Sequence, residues 1–175
     1  SQKAKDIREI TLNAEKIQNH IKWYYFSILP ELQKLKNPKL EPHAFKDKVW
    51  FEAQKAIMES LKLGAIFSGQ WPHGSFLMSG GVTCDPLNSD VVGAQNCLNA
   101  VISFCERHLY GMEIEEFLSL DCALQIMANN ASLHDGVESM MQNGFDSFGR
   151  SYDRFLALGE SFLYENPSKC FKTNI

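Results

Sequence analysis

The chain has 175 residues, 45% of them hydrophobic and 22% charged, which suits one compact domain with a sizeable core. A formal net charge of −4, without any basic stripe, argues against a nucleic-acid partner. No apolar run reaches the roughly 18 residues of a membrane-spanning helix, and the charged residues 1–9 lack the apolar middle of a signal peptide.

Along residues 6–29 the apolar positions Ile7, Ile10, Ala14, Ile17, Ile21, Tyr24 and Ile28 alternate spacings of three and four. The pattern predicts a long helix with one continuous apolar stripe, read as a helix–helix packing face rather than a coiled-coil seam. Pro30, Asn37-Pro38 and Glu41-Pro42 are expected to break it. A second helix is predicted over 44–67, where Val49, Ala53, Ile57, Leu61 and Ala65 recur every four residues. A loop punctuated by glycine and proline follows, to about residue 88.

Ser89 is then a candidate N-cap and Asp90 a favourable charge in the first turn of a third helix. Val91, Ala94, Leu98, Val101 or Ile102, Cys105 and Leu109 mark its stripe, Cys97 falls at the stripe's edge, and Gly111 ends it. A fourth helix is predicted over 113–128 from Ile114, Phe117, Leu118, Leu124 and Met127, and a shorter one over 133–142. The last third of the chain changes character: Gly136, Gly144, Gly149 and Gly159 interrupt it every ten residues or so, aromatics cluster in short turns, and 161–164 is a candidate strand. With no strand–helix alternation and no repeat, the expected fold is mainly α, a multi-helix bundle with irregular loops.

Five cysteines, Cys84, Cys97, Cys105, Cys122 and Cys170, form no Cys-x-x-Cys pair, so neither a zinc nor an iron–sulfur spacing is present. Buried, reduced thiols are expected, and with them a reducing, cytoplasmic compartment.

The loop at 70–86 concentrates the candidate site. Pro72 fixes the backbone beside His73, Gly74 allows a tight turn after it, and Trp71 supplies a large apolar neighbour. His73 has a proton relay as one reading and a backbone-bonded structural role as the other, the second being commoner for a histidine. Gly80-Gly81 lacks the Lys-Ser/Thr of a phosphate loop and no strand is expected to lead into it, so left-handed backbone or close approach is the better explanation. His20, His43, His108 and His134 are scattered. His108, near a helix C-terminus, stands where the dipole favours positive charge, and Glu113, Glu115 and Glu116 belong in a first helical turn. No His-x-x-x-His or Glu-x-x-His pair places two ligands on one face.

Several segments, in order, resemble the large subunit of nickel–iron hydrogenases. Ile10-Thr11-Leu12-Asn13-Ala14-Glu15-Lys16-Ile17-Gln18-Asn19-His20 is similar to the long helix after that family's N-terminal metal motif. Gly69-Gln70-Trp71-Pro72-His73 and Gly80-Gly81-Val82-Thr83-Cys84 resemble its Pro-His and Gly-Gly-Val signatures. Gly144-Phe145-Asp146-Ser147-Phe148-Gly149-Arg150 and Phe155-Leu156-Ala157-Leu158-Gly159 resemble its Leu-Gly-Arg and Phe-Leu-Ser-Tyr-Gly segments. The Trp-Pro-His form looks most like the uptake and H2-sensing branch, and the resemblance spans nearly the whole chain.

It implies a single domain over 1–175 with a hydrogenase large-subunit-like core, belonging to a protein that splits dihydrogen heterolytically at a nickel–iron centre. Electrons would leave through an iron–sulfur small subunit. In the family four cysteines in two Cys-x-x-Cys pairs hold the metals. Neither pair is in this chain: Leu87 follows Asp85-Pro86 where a cysteine would be needed, and Cys84 matches a position outside the metal set. The expectation is an internal segment, its two metal motifs before residue 1 and after residue 175, holding no cofactor and turning over no H2 alone. The start at Ser1, in a charged helical pattern without Met, is read as favouring excision. By analogy Trp71, His73, Gly80 and Gly81 would form a wall facing the small subunit and its electron exit. The alternative is a standalone, non-enzymatic assembly scaffold or regulatory binding module. An internal segment is also expected to expose apolar surface and self-associate.

Overall fold

The computed structural model describes residues 1–39, 47–121, 132–148, 154–155 and 171–172. The chain divides into two compact units, Ser1–Met140 and Met141–Ile175.

The first unit is built on three long helices: α1 (Gln2–Trp23), α3 (Lys48–Ser68) and α4 (Asn88–Phe104). Helix α3 packs against both α1 and α4. The mainly helical class follows from the three-and-four spacing of apolar residues, which gives each helix one face to bury. On α1, Ile7, Ala14 and Ile21 are buried, as is Tyr24 just beyond it, whereas Ile10 is exposed. On α3 the inward row is Ala53, Ala56, Ile57, Ser60, Leu63, Gly64 and Phe67. Helix α3 starts at Lys48, because the Asp47 carboxylate accepts the Val49 N–H at 2.9 Å and caps it. Ala44 and His43 lie outside the described residues.

Pro30 does not end the first helix. A π-helical segment, Tyr24–Ile28, continues α1 directly into α2 (Leu29–Lys36), with Pro30 in the first turn of α2. The Leu29 N–H bonds the Tyr24 carbonyl, five residues back. The wider turn opens the ladder just upstream of Pro30, relieving the clash its ring would make with the carbonyl four residues earlier. Asn37-Pro38 does stop α2: Asn37 is extended, at φ −141° and ψ 93°, as a residue before proline prefers.

Helix α4 begins at Asn88, one residue before the expected cap Ser89, and Leu87 occupies the cap position. Asp90 is the residue that closes this end, its carboxylate accepting the Leu87 N–H at 2.8 Å. The buried row is Ala94, Cys97, Val101 and Phe104, so Cys97 is core rather than edge and Val91 is exposed. A second π-helical segment, Cys105–Tyr110, carries α4 to Gly111, the expected end. Short helix α5 (Ile114–Leu118) follows, with Glu113 as its cap residue and Glu115 and Glu116 in its first turn. The predicted continuation to 128, with Leu124 and Met127, lies outside the described residues, as do Cys122, Cys170 and the candidate strand at 161–164. Helix α6 (Ser132–Gln142) is the short helix expected at 133–142.

Two apolar clusters form the core. One is aromatic: Tyr24, Tyr25 and Phe104 pack with Ile21, Ala53, Ile57, Val101 and Cys105, and the Tyr25 and Phe104 rings meet edge-on with centroids 5.3 Å apart. The other, built from smaller groups, joins Ile7, Ala14, Leu63, Phe67, Cys84, Ala94 and Cys97. Between them α1 and α3 approach closely: the Ser60 hydroxyl donates to the Ala14 carbonyl at 2.7 Å, and a Cβ on Gly64 would stand 3.7 Å from that of Ala14.

In the second unit a 3-10 turn, Phe145–Ser147, follows Gly144, and Arg154–Phe155 (β3) pairs antiparallel with Phe171–Lys172 (β4).

Candidate functional site: the loop from Gly69 to Pro86

Helix α3 ends at Gly69, whose φ of +85° belongs to the left-handed region and whose N–H bonds the Ala65 carbonyl at 2.8 Å. A side chain there would meet the Ser75 hydroxyl at 2.5 Å and the Phe76 ring at 2.9 Å. The chain turns on Ser68: its hydroxyl donates to the Gln70 carbonyl at 2.7 Å, and its carbonyl accepts the Phe76 N–H at 3.0 Å. The Trp71–Pro72 peptide is cis.

The segment after Phe76 is a hairpin that was not expected. Leu77–Met78 (β1) pairs antiparallel with Gly81–Val82 (β2), in the register Leu77 to Val82 and Met78 to Gly81. Ser79 and Gly80 make the turn, and Gly80 alone has positive φ, at +83°, which is the demand of the second central position in a type II turn. So a two-residue strand does lead into the glycine pair. Gly81 has ordinary φ and open space where a Cβ would stand, so neither backbone angle nor close approach explains it. The sequence signal was present as a glycine-containing dipeptide between short apolar pairs, but two-residue strands carry too little periodicity to be read.

Arg8, on α1, anchors this hairpin. Its Nη2 donates to the Met78 carbonyl at 2.6 Å and to the Gly81 carbonyl at 2.9 Å, bracketing the turn. Lys3 pairs with Asp85 at 2.6 Å, and the ammonium holds the Asp85 carboxyl below its ordinary value. Both partners of that pair are exposed, so its contribution to stability is small. Nothing in the local pattern around Arg8 or Lys3 announces either contact, since their partners lie 70 to 82 positions away.

Trp71 and His73 sit on the outer side of the loop and both are exposed, Trp71 at 48% of its surface. His73 is tied down through its backbone, its carbonyl accepting from the Gln70 side-chain amide. Its imidazole forms no hydrogen bond among the described residues, so the commoner reading, a ring bonded to backbone, is not what the structure holds. The ring is exposed to solvent. Gly80 and Gly81 lie on the same loop, at the hairpin turn.

Beneath the loop is a cavity of about 90 Å³, lined by Thr11, Glu15, Ser60, Gly64, Trp71 and Leu77 among others. It can take a few waters, and falls well short of the roughly 300 Å³ at which small-molecule sites begin. Cys84 is buried below the loop, and burial pushes its thiol up from the ordinary value. Burial does the same to Cys97, and to Cys105, whose thiol is pushed up to about 11. All three are free. Thiols held protonated in this way are weak nucleophiles and weak ligands.

A second concavity, of about 290 Å³, runs between α3 and α4 past Lys55, Glu59, Arg107 and His108. Its acids are paired, Glu52 with Lys55 at 3.1 Å and Glu59 with Lys62 at 2.5 Å. His108 behaves opposite to expectation. Burial and then the neighbouring Arg107 lower its pKa, outweighing the dipole of the helix end.

No helix among the described residues is long and apolar enough to cross a membrane. Compared with known families and with curated proteins, the chain matches no family model and no curated relative.

Proposed function

We propose that this chain is part of the helical frame of a nickel–iron hydrogenase large subunit, and that the loop at 69–86 is its docking wall for an iron–sulfur small subunit. The support is the convergence of three separate segments that resemble that family. Thr11 and Glu15, from the segment at 10–20, line the same cavity as Trp71 and Leu77. Arg8, just ahead of that segment, holds the carbonyl of Gly81 in the Gly-Gly-Val element.

On this reading the parent assembly splits dihydrogen heterolytically and passes the electrons out through the small subunit, in the cytoplasm or at a membrane through partner subunits. The metal-binding cysteines belong to Cys-x-x-Cys pairs that these 175 residues do not contain, and the chain supplies support and docking rather than metal ligands. Trp71 offers a rigid amphipathic anchor of the kind that dominates interface energetics. His73 offers a hydrogen-bonding ring beside it.

The test is direct association with a hydrogenase iron–sulfur small subunit, followed by surface plasmon resonance. Binding is expected, weakened about tenfold or more by Trp71→Ala combined with His73→Ala while the helical circular dichroism stays unchanged. The purified chain is expected to carry no stoichiometric nickel and to reduce no dye with H2. Absence of binding, binding indifferent to the double substitution, or nickel together with H2-dependent dye reduction would each overturn the reading.

A further inference from the structure

Helix α3 is apolar on two sides. Its inward row, which includes Ala53, Ile57, Leu63 and Phe67, is taken up by α1 and α4. A second row, Phe51, Gln54, Met58, Leu61 and Ala65, alternates spacings of three and four along its outer side. No member of this row is buried: Phe51 and Met58 are 49% and 47% exposed, and the other three are half-buried. One apolar stripe serves one packing partner, and a helix that is apolar over most of its circumference belongs inside a bundle. The outer row also keeps a seven-residue repeat, the period with which one helix seats the side chains of another. At its start Trp50 stacks on Phe26, with centroids 4.9 Å apart, and meets Phe51 edge-on at 5.2 Å.

Lysine lines one edge of this row. Lys48, Lys55 and Lys62 recur every seven residues, in step with Phe51, Met58 and Ala65, and all three are exposed. Lys55 and Lys62 pair with Glu52 and Glu59 at 3.1 and 2.5 Å. Those two carboxylates stand on the α4 side, where they line the larger concavity. Exposed pairs of this kind are weak, so the ammonium groups can turn to a carboxylate arriving over the row at little cost.

We infer that the outer row of α3 is the docking seam for an amphipathic helix of a partner protein, one with an apolar stripe of the same period edged by Asp or Glu. The apolar row supplies the contact area, and the lysines supply selectivity, because charges flanking a helical seam choose the partner and its orientation. A second copy of the chain fits this seam badly. Paired antiparallel through α3, the two lysine rows would face each other. Paired parallel, each would face the opposite edge, where Trp50, Ile57 and Gly64 offer no carboxylate. The seam is a face of α3 and does not depend on the hydrogenase reading.

The test uses two labelled synthetic peptides of the length of α3, 21 residues, both with leucine at the seam positions. One carries glutamate along the flanks and the other lysine. Binding to the full chain is followed by fluorescence anisotropy. The glutamate peptide is expected to bind one to one and about tenfold or more tighter than the lysine peptide, a preference that shrinks as salt is raised. Met58→Gln, a change of an exposed side chain to one of similar shape, is expected to weaken binding about tenfold with unchanged circular dichroism. Lys55→Glu combined with Lys62→Glu is expected to invert the preference, whereas His73→Ala leaves it intact. Binding of neither peptide, equal binding of both, or binding indifferent to Met58→Gln would overturn the seam. A dimer of the unliganded chain that Met58→Gln dissociates would instead make a second copy the occupant. Retention on phosphatidylserine vesicles that the same variant loses would make it a membrane. Either result also overturns the inference. Failure here leaves the small-subunit association, read through Trp71 and His73, to its own test.

Discussion

The aromatic end of the helical frame and the loop at 69–86 are held by opposite means. Around Tyr25 and Phe104 the helices interlock through buried rings and aliphatic groups, all under one-tenth exposed. Such packing is non-directional, and each residue touches many others. The loop is instead fixed by a handful of directed bonds, from Ser68, Gln70 and Arg8 to backbone carbonyls. It has Trp71, His73 and Met78 out in solvent. Burial makes the frame the determinant of whether the chain folds. Directed bonds shape the loop while leaving its side chains free, the combination a docking surface needs.

Three substitutions sharpen that contrast. Phe104→Ala removes a ring from the middle of the aromatic cluster, 6% exposed, and leaves a cavity that rigid neighbours cannot fill. A loss of about 3–5 kcal/mol in global stability is expected from denaturant unfolding. A loss below about 1 kcal/mol would mean that the cluster is not the stabilising centre.

Gly136→Ala comes next. The new Cβ would stand 2.5 Å from the Tyr24 hydroxyl and 3.0 Å from its ring, an overpacking that costs about 1–3 kcal/mol. Tyr24→Phe removes the closer obstacle, so the double substitution should lose less than the sum of the singles. Strict additivity of the two in a double-mutant cycle would count against the contact.

Arg8→Ala should have the smallest global effect, about 1 kcal/mol or less, since the guanidinium is exposed. Its consequence should be local. Amide exchange between 76 and 83 is expected to accelerate while the protected amides of α3 and α4 stay as they are. Equal acceleration throughout would show that the loop and the frame are one cooperative unit.

The difference in legibility follows the same physics. Most of the stripe over 6–29, the Ala53 and Ile57 positions of the α3 row and the stop at Gly111 could be read in the sequence, because an amphipathic helix repeats its burial pattern every few residues. Val49, Leu61 and Ala65 are only part-buried, and Leu63 and Phe67 take the inward row instead. Trp71, His73 and Gly80 stood out as loop residues for their chemistry, and the structure does bring them to one exposed loop. The hairpin did not stand out, since two paired residues have no period. Cys97 was misjudged because a stripe drawn through Val91 and Leu98 is rotated from the row that α4 buries, and that rotation depends on where α3 lies.

By itself, the sequence determined the mainly helical class, the approximate extent of most of the described helices and the absence of any cysteine pair spaced for a metal. Those properties are local, carried by neighbours within one or two helical turns. Only the tertiary structure decided that a π-turn would carry the first helix through Pro30, that Arg8 would clasp a turn 70 positions away, and that burial would lower the pKa of His108. Each of these is settled by what other parts of the chain supply or exclude in three dimensions, and no local pattern contains that information.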